Sequence, residues 1–162
     1  MATAPIDTDK PTKADKSQNK WFWIFGTVFS LVGLADSIYL TIAHYTTSAI
    51  LACPETKFIN CAKVTTSSYS EIFGIPVPLF GLVFFVGMLL FQLPKSWQSK
   101  SLLIKRCRVL LSIAGLISVF YFIYVELHLL HSICIFCTLV HILTFAIFVN
   151  TVIGTSVVSD EQ

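Results

Sequence analysis

Four long apolar stretches separated by polar segments organise this chain, roughly Trp21–Tyr45, Ile75–Leu93, Val109–Leu130 and Ile133–Ile153. A helix of about 20 residues crosses a hydrocarbon core of roughly 30 Å, so the pattern predicts four membrane spans. Residues 1–20, rich in Lys, Asp, Thr and Pro, read as a disordered, solvated cytoplasmic tail. The first apolar stretch is too long for a removable signal peptide and has no small-residue cleavage site, so it is expected to stay in the mature protein. Residues 154–162 read as a second cytoplasmic tail. The connection 46–74 is far longer than an ordinary loop, and such loops are usually functional or disordered. Its apolar residues, among them Leu51, Phe58, Ile59, Val64 and Ile72, predict that it folds over the mouth of the bundle. Gly74 suits the turn into the second span, and Pro76 and Pro78 fall in that helix's first turn, where a missing N–H costs little. The expected fold is an all-α membrane protein: one four-transmembrane-helix bundle over residues 21–153, with the long outer loop folded over the site.

Composition agrees with that class. Hydrophobic residues make up 55% of the chain and charged ones 12%, and the mean hydropathy is +0.77. Charge placement then adds orientation. Nine of the eleven basic residues precede the first span or lie between the second and third, and only Lys57 and Lys63 fall in the first loop. Short loops rich in Lys and Arg stay in the cytoplasm, which puts both termini inside and the first loop outside. The net charge of +2 therefore describes topology and argues against nucleic acid as a partner.

Chemistry enters with the cysteines. Cys53 and Cys61 lie in the outer loop with seven residues between them, and Cys134 and Cys137 form a CxxC at the start of the last span. Ser132 is placed to cap that helix, with Cys134 in its first turn, where the helix N-terminus favours a thiolate. Spacing by three brings the CxxC sulfurs to one helix face, close enough for a small, reducible disulfide. A packed or merely stabilising role for this pair is the bland alternative. Cys53 and Cys61 are readable as a static clamp on the loop, but the shuttle is the favoured reading, because an unsupported loop can swing one cysteine towards Cys134. A zinc site is less attractive, since structural sites usually show two close-spaced knuckles, and no metal is expected. Cys107, beside Lys105 and Arg106, reads as a spectator on the cytoplasmic side.

The order of motifs carries a resemblance. The loop pair is followed by Cys61-Ala62-Lys63-Val64-Thr65-Thr66-Ser67, then by Phe73-Gly74-Ile75-Pro76-Val77-Pro78-Leu79-Phe80-Gly81, then by Cys134-Ile135-Phe136-Cys137. This resembles the vitamin K epoxide reductase family over roughly Trp21 to Ile153, in the form found in prokaryotic and plant-type members. The DsbB family does similar chemistry, but there the CxxC lies in the first outer loop. The resemblance implies that Cys134 and Cys137 are the active-site pair, with Cys137 the deeper thiolate facing a quinone. It makes Cys53 and Cys61 the shuttle. Ser67 matches a serine near the quinone. His141 stands where animal members carry a tyrosine that bonds a quinone oxygen, and Ser70 occupies the rough position of their asparagine. Many prokaryotic members are fused to a thioredoxin-like domain and this chain shows none, so a separate thioredoxin-like extracytoplasmic protein is the expected thiol donor. The co-substrate implied is a quinone such as menaquinone or ubiquinone, and the membrane implied is a prokaryotic plasma membrane.

Physics and resemblance give the same relay, from partner to Cys53, from Cys61 to Cys134, and from Cys137 to quinone. Aromatic and aliphatic walls suit such a ligand, and Phe73, Phe80, Phe84 and Phe136 are candidates. Asp36, inside the first span, is a candidate proton carrier or a paired group that orients helices. Glu126, His128 and His131 read as reaching interfacial water, and His44 and Tyr45 as closing the first span. His131 is also placed to favour the Cys134 thiolate. The rival reading is a structural or partner-binding membrane protein whose outer disulfides are permanent.

Overall fold

The computed structural model describes residues 13–46, 51–54, 56–99 and 101–160. Helix α1 runs Lys13–Tyr45 and is followed by a long connection holding short helix α2 (Cys61–Thr65), a 3-10 turn (Ser68–Ser70) and a hairpin of β1 (Glu71–Ile72) and β2 (Ile75–Pro76). Then come α3 (Val77–Gln92), α4 (Pro94–Trp97), α5 (Leu102–Tyr124), a π-helical segment (Val125–Leu130) and α6 (Ile135–Asp160). Lys20–Tyr45, Leu102–Leu130 and Ile135–Ser156 are long and apolar enough to cross a membrane, whereas α3 has 16 residues.

Helices α1 and α5 each pack against both the shorter α3 and the long α6. Close approach depends on missing side chains. A Cβ on Gly33 of α1 would overlap the Phe85 ring of α3, and one on Gly115 of α5 would stand 2.6 Å from Phe84. Phe85, Met88 and Ile147 fill the middle with no exposed surface.

At one end, Trp97 Nε1 donates to Gln92 Oε1 at 2.9 Å and Gln92 Nε2 donates to Thr151 Oγ1 at 3.2 Å. The Arg108 guanidinium lies 3.7 Å from the Trp97 ring and donates to Thr155 Oγ1 at 3.1 Å. Asn150 Nδ2 closes the same end by donating to the Phe22 carbonyl at 3.0 Å.

Several boundaries differ from the sequence reading. The first helix already includes residues 13–20, and the last continues to Asp160. Residues 1–12 lie outside the described ones. The third long helix begins at Leu102 rather than Val109, because Lys105, Arg106 and Arg108 continue a helical turn instead of forming a loop. Of these, Arg108 is buried.

The long connection is also less free than expected near Cys61. Ile59 pairs with Ile133 in a parallel bridge, with Ile133 N–H donating to Phe58 O at 2.8 Å and Asn60 N–H to Ile133 O at 3.1 Å. Asn60 then caps α2, its Oδ1 accepting the Lys63 N–H at 2.8 Å. Lys63 Nζ donates to the Leu130 carbonyl at 2.6 Å, tying α2 to the end of the π-helical segment.

Candidate functional site

All four paired cysteines meet in one apolar cluster at the end away from Trp97. Cys61 and Cys134 are buried there with Leu40, Ala43, Leu51 and Val64, and Cys53 and Cys137 pack against them half-buried. Cys53 and Cys61 are joined in a disulfide with Cα atoms 6.1 Å apart, and Cys134 and Cys137 are free thiols. The Ile59–Ile133 bridge explains the meeting: it aligns the strand entering Cys61 with the strand entering Cys134. Cys61 is therefore buried in the same cluster as Cys134. Cys53 belongs to the extended side of the loop, held by the Ala52 N–H donated to Tyr39 Oη at 3.2 Å.

Cys134 is itself the N-cap of α6, a role expected of Ser132. Its carbonyl accepts the Thr138 N–H at 2.9 Å, and its sulfur accepts the Cys137 N–H at 3.4 Å. A sulfur in that position receives both a backbone donor and the positive end of the helix. Cys134 stands just ahead of the apolar span, and the Cys137 thiol donating to its sulfur holds it below the ordinary thiol range against the opposing effect of burial. Cys134 is the thiol at the helix N-terminus, while the family resemblance gives the quinone-facing role to Cys137.

Cys137 opens instead onto a cavity of about 320 Å³ walled by α1, α3, α5 and α6. The connection contributes Val64, Thr65, Ser67, Tyr69, Ser70 and Ile72 to its wall. The remaining surface is mostly apolar, with His141, Thr144, Ser37 and Glu126 as isolated polar points. Volume and lining suit a flat, largely apolar ring with polar oxygens, since small-molecule sites span about 300–1,000 Å³ with few polar groups.

The chain matches the sequence profile of the vitamin K epoxide reductase family over residues 23–152. The chain belongs to that family. No individual curated protein matches it. Vitamin K epoxide reductase family members are quinone-linked disulfide oxidoreductases of membranes, so this protein is an integral membrane oxidoreductase.

Against this family's expected site, His141 lines the cavity one helical turn from Cys137, and Phe80 and Phe84 line it from α3. Ser67 and Ser70 also line it, but their hydroxyls are engaged locally, donating to Val64 O at 2.9 Å and Ser67 O at 2.7 Å. Two aromatic expectations are corrected. Phe73 is fully exposed at the tip of the β1–β2 hairpin, where φ is +54° for Phe73 and +76° for Gly74, so its ring points away from the cavity. Phe136 packs on Tyr39 with ring centroids 5.0 Å apart and does not line the cavity.

Among the polar groups, His128 and His131 are exposed. Glu126 is not: it is buried in the cavity wall. His44 is drawn to Glu71 of the hairpin at 3.4 Å. Asp36 is buried in α1 with Oδ2 unpartnered among the described residues. Cys107 is half-buried on the second turn of α5, far along the fold from the cysteine cluster. Among the described residues no cluster of three metal-ligating side chains occurs. The site residue the sequence reading missed is Glu126, and the signal for it was a carboxylate within reach of an otherwise apolar span.

Proposed function

We propose that this protein is a quinone-dependent thiol–disulfide oxidoreductase that oxidises a thioredoxin-like extracytoplasmic protein and so supports disulfide formation. The observation that carries the reading is the single cluster in which Cys61 lies with Cys134 while Cys137 opens onto the apolar cavity. The partner's thiolate attacks the Cys53–Cys61 disulfide at Cys53, the less buried sulfur, and a second partner thiol resolves the mixed disulfide. The released Cys61 thiolate attacks Cys134 of the oxidised CxxC, and Cys53 then closes the loop disulfide again. Each step exchanges one S–S bond for another and moves two electrons inward. The quinone supplies the two-electron sink, and His141 and Thr144 are the donors on this chain placed to hold its oxygens.

In this reading all four long helices cross the membrane, with both termini cytoplasmic and the cysteine end outside, as the placement of basic residues favours. At 1.5 Å per residue α3 is about 24 Å long, a short span that local bilayer thinning accommodates. A prokaryotic plasma membrane fits this orientation.

The test is reduction of a menaquinone or ubiquinone analogue by the purified protein with a small dithiol as donor. Turnover by the wild type and none by Cys137→Ser is the expected result. Equal behaviour of the two, with all four cysteines permanently oxidised, would instead support the structural protein.

A further inference from the structure

Glu126 is the one carboxylate among the described residues that lines the cavity onto which Cys137 opens. It is 5% exposed, and its carboxyl lies within reach of the Cys134 backbone N–H. The backbone holds it there deliberately. Residues Val125–Leu130 wind as a π-helical segment, and the Glu126 carbonyl accepts the N–H groups of His131, at φ +49°, and of Ser132, at 3.1 Å. Such π segments re-aim side chains and recur at functional sites. A carboxylate placed in an apolar wall with no cation paired to it is costly unless it is neutral for part of its working cycle.

Other ionisable groups around the thiols are less well placed. Asp36 on α1 faces Cys137 but does not line the cavity, and His141 on α6 lines it one turn beyond Cys137. Lys63 on α2 is held by the Leu130 carbonyl. His44 is paired with Glu71.

We propose that Glu126 carries a proton from the loop thiols to the quinone, an assignment that rests on the quinone-reducing function proposed above. When the Cys53/Cys61 dithiol reduces the Cys134–Cys137 disulfide, two thiol protons are available and the product pair, Cys134 thiolate with Cys137 thiol, keeps one. The Glu126 carboxylate takes the other. In the next step the Cys134–Cys137 S–S bond re-forms and gives up two electrons. The Cys137 S–H and the Glu126 O–H break, and their two protons complete the quinol. Charge and protons balance, and Glu126 returns as the carboxylate.

The test uses full-length protein and the variants Glu126→Gln, which keeps the shape but cannot carry a proton, and Glu126→Asp, which keeps the carboxyl. Single-turnover quinone reduction by the pre-reduced protein is followed across pH, and infrared difference spectra are recorded on dithiol reduction without quinone. A protonated-carboxyl band should appear on reduction in the wild type and vanish in Glu126→Gln. Quinol formation in that variant should slow by about 100-fold, the usual range for a lost acid–base group, and lose the high-pH decline of the wild type. Glu126→Asp should recover part of both. A wild-type rate and pH profile in Glu126→Gln, or equal losses in Gln and Asp variants with the high-pH decline intact, would overturn the assignment. A carboxyl band that forms in a wild type unable to reduce any quinone would uphold proton uptake at Glu126 and reject the quinone reading instead.

Discussion

The two ends of this helix set bury polar groups in opposite ways. At the Trp97 end, Gln92 bonds Trp97 and Thr151 and Arg108 stacks on Trp97 and bonds Thr155, although Arg108 Nε and Nη1 have no partner among the described residues. At the cysteine end, Glu126, His141 and Thr144 are just as buried, yet they face a cavity. A linked polar network fixes how helices pack, and removing one member leaves the others unpaired. A polar group at a cavity wall is placed to meet a ligand that enters the cavity. The first end therefore holds the fold and the second does the chemistry, although by composition both are polar residues in apolar helices.

That division can be broken deliberately. Cys137→Ser should have the largest effect, lowering quinone reduction by roughly three orders of magnitude or more while leaving the melting temperature unchanged, because it removes a reacting sulfur and little volume. Gln92→Ala should do the reverse. It strands the Trp97 N–H and the Thr151 hydroxyl and should cost about 2 kcal/mol, read as a lower melting temperature in detergent, with turnover per folded molecule retained. A loss of turnover without a loss of stability in this variant would erase the distinction between the ends.

Gly115→Ala probes the boundary between them. A Cβ there would meet Phe84 at 2.6 Å and Thr144 Cγ2 at 3.0 Å, both in the cavity wall, so the wall must shift. The quinone KM should rise about tenfold with kcat nearly kept, the signature of lost uniform binding. Asn60→Ala removes the cap of α2 and should cost about 1 kcal/mol locally. Electron delivery from a thioredoxin-like protein should slow more than delivery by a small dithiol. The smallest effect belongs to Phe73→Ser: the ring is fully exposed, and steady-state kinetics should give an unchanged quinone KM.

Much of this arrangement was legible in the sequence because hydropathy and cysteine spacing are one-dimensional signals. Apolar stretches of about 20 residues located the long helices, and chain order alone put the CxxC at the start of the last one. What stayed hidden depends on side-chain direction. Arg108 and Glu126 were read as wet because each lies near a span end with charged or polar neighbours. Arg108 turns onto Trp97, and the π-helical segment turns Glu126 into the cavity, and no periodicity of the sequence announces a π turn. Phe73 was misplaced for a related reason: it and Phe80 are close in sequence, but a two-residue turn with positive φ sends Phe73 outward. The pinning of Cys61 beside Cys134 rests on one bridge between residues distant in sequence, which single-chain patterning does not reveal.

The central claim is that Cys61 hands electrons to Cys134. Its most direct test is the Cys53→Ser, Cys137→Ser double variant, oxidised mildly and digested for mass spectrometry. A Cys61–Cys134 disulfide in most molecules is the predicted result. Cys61 and Cys134 both remaining free thiols in a folded protein would contradict the account.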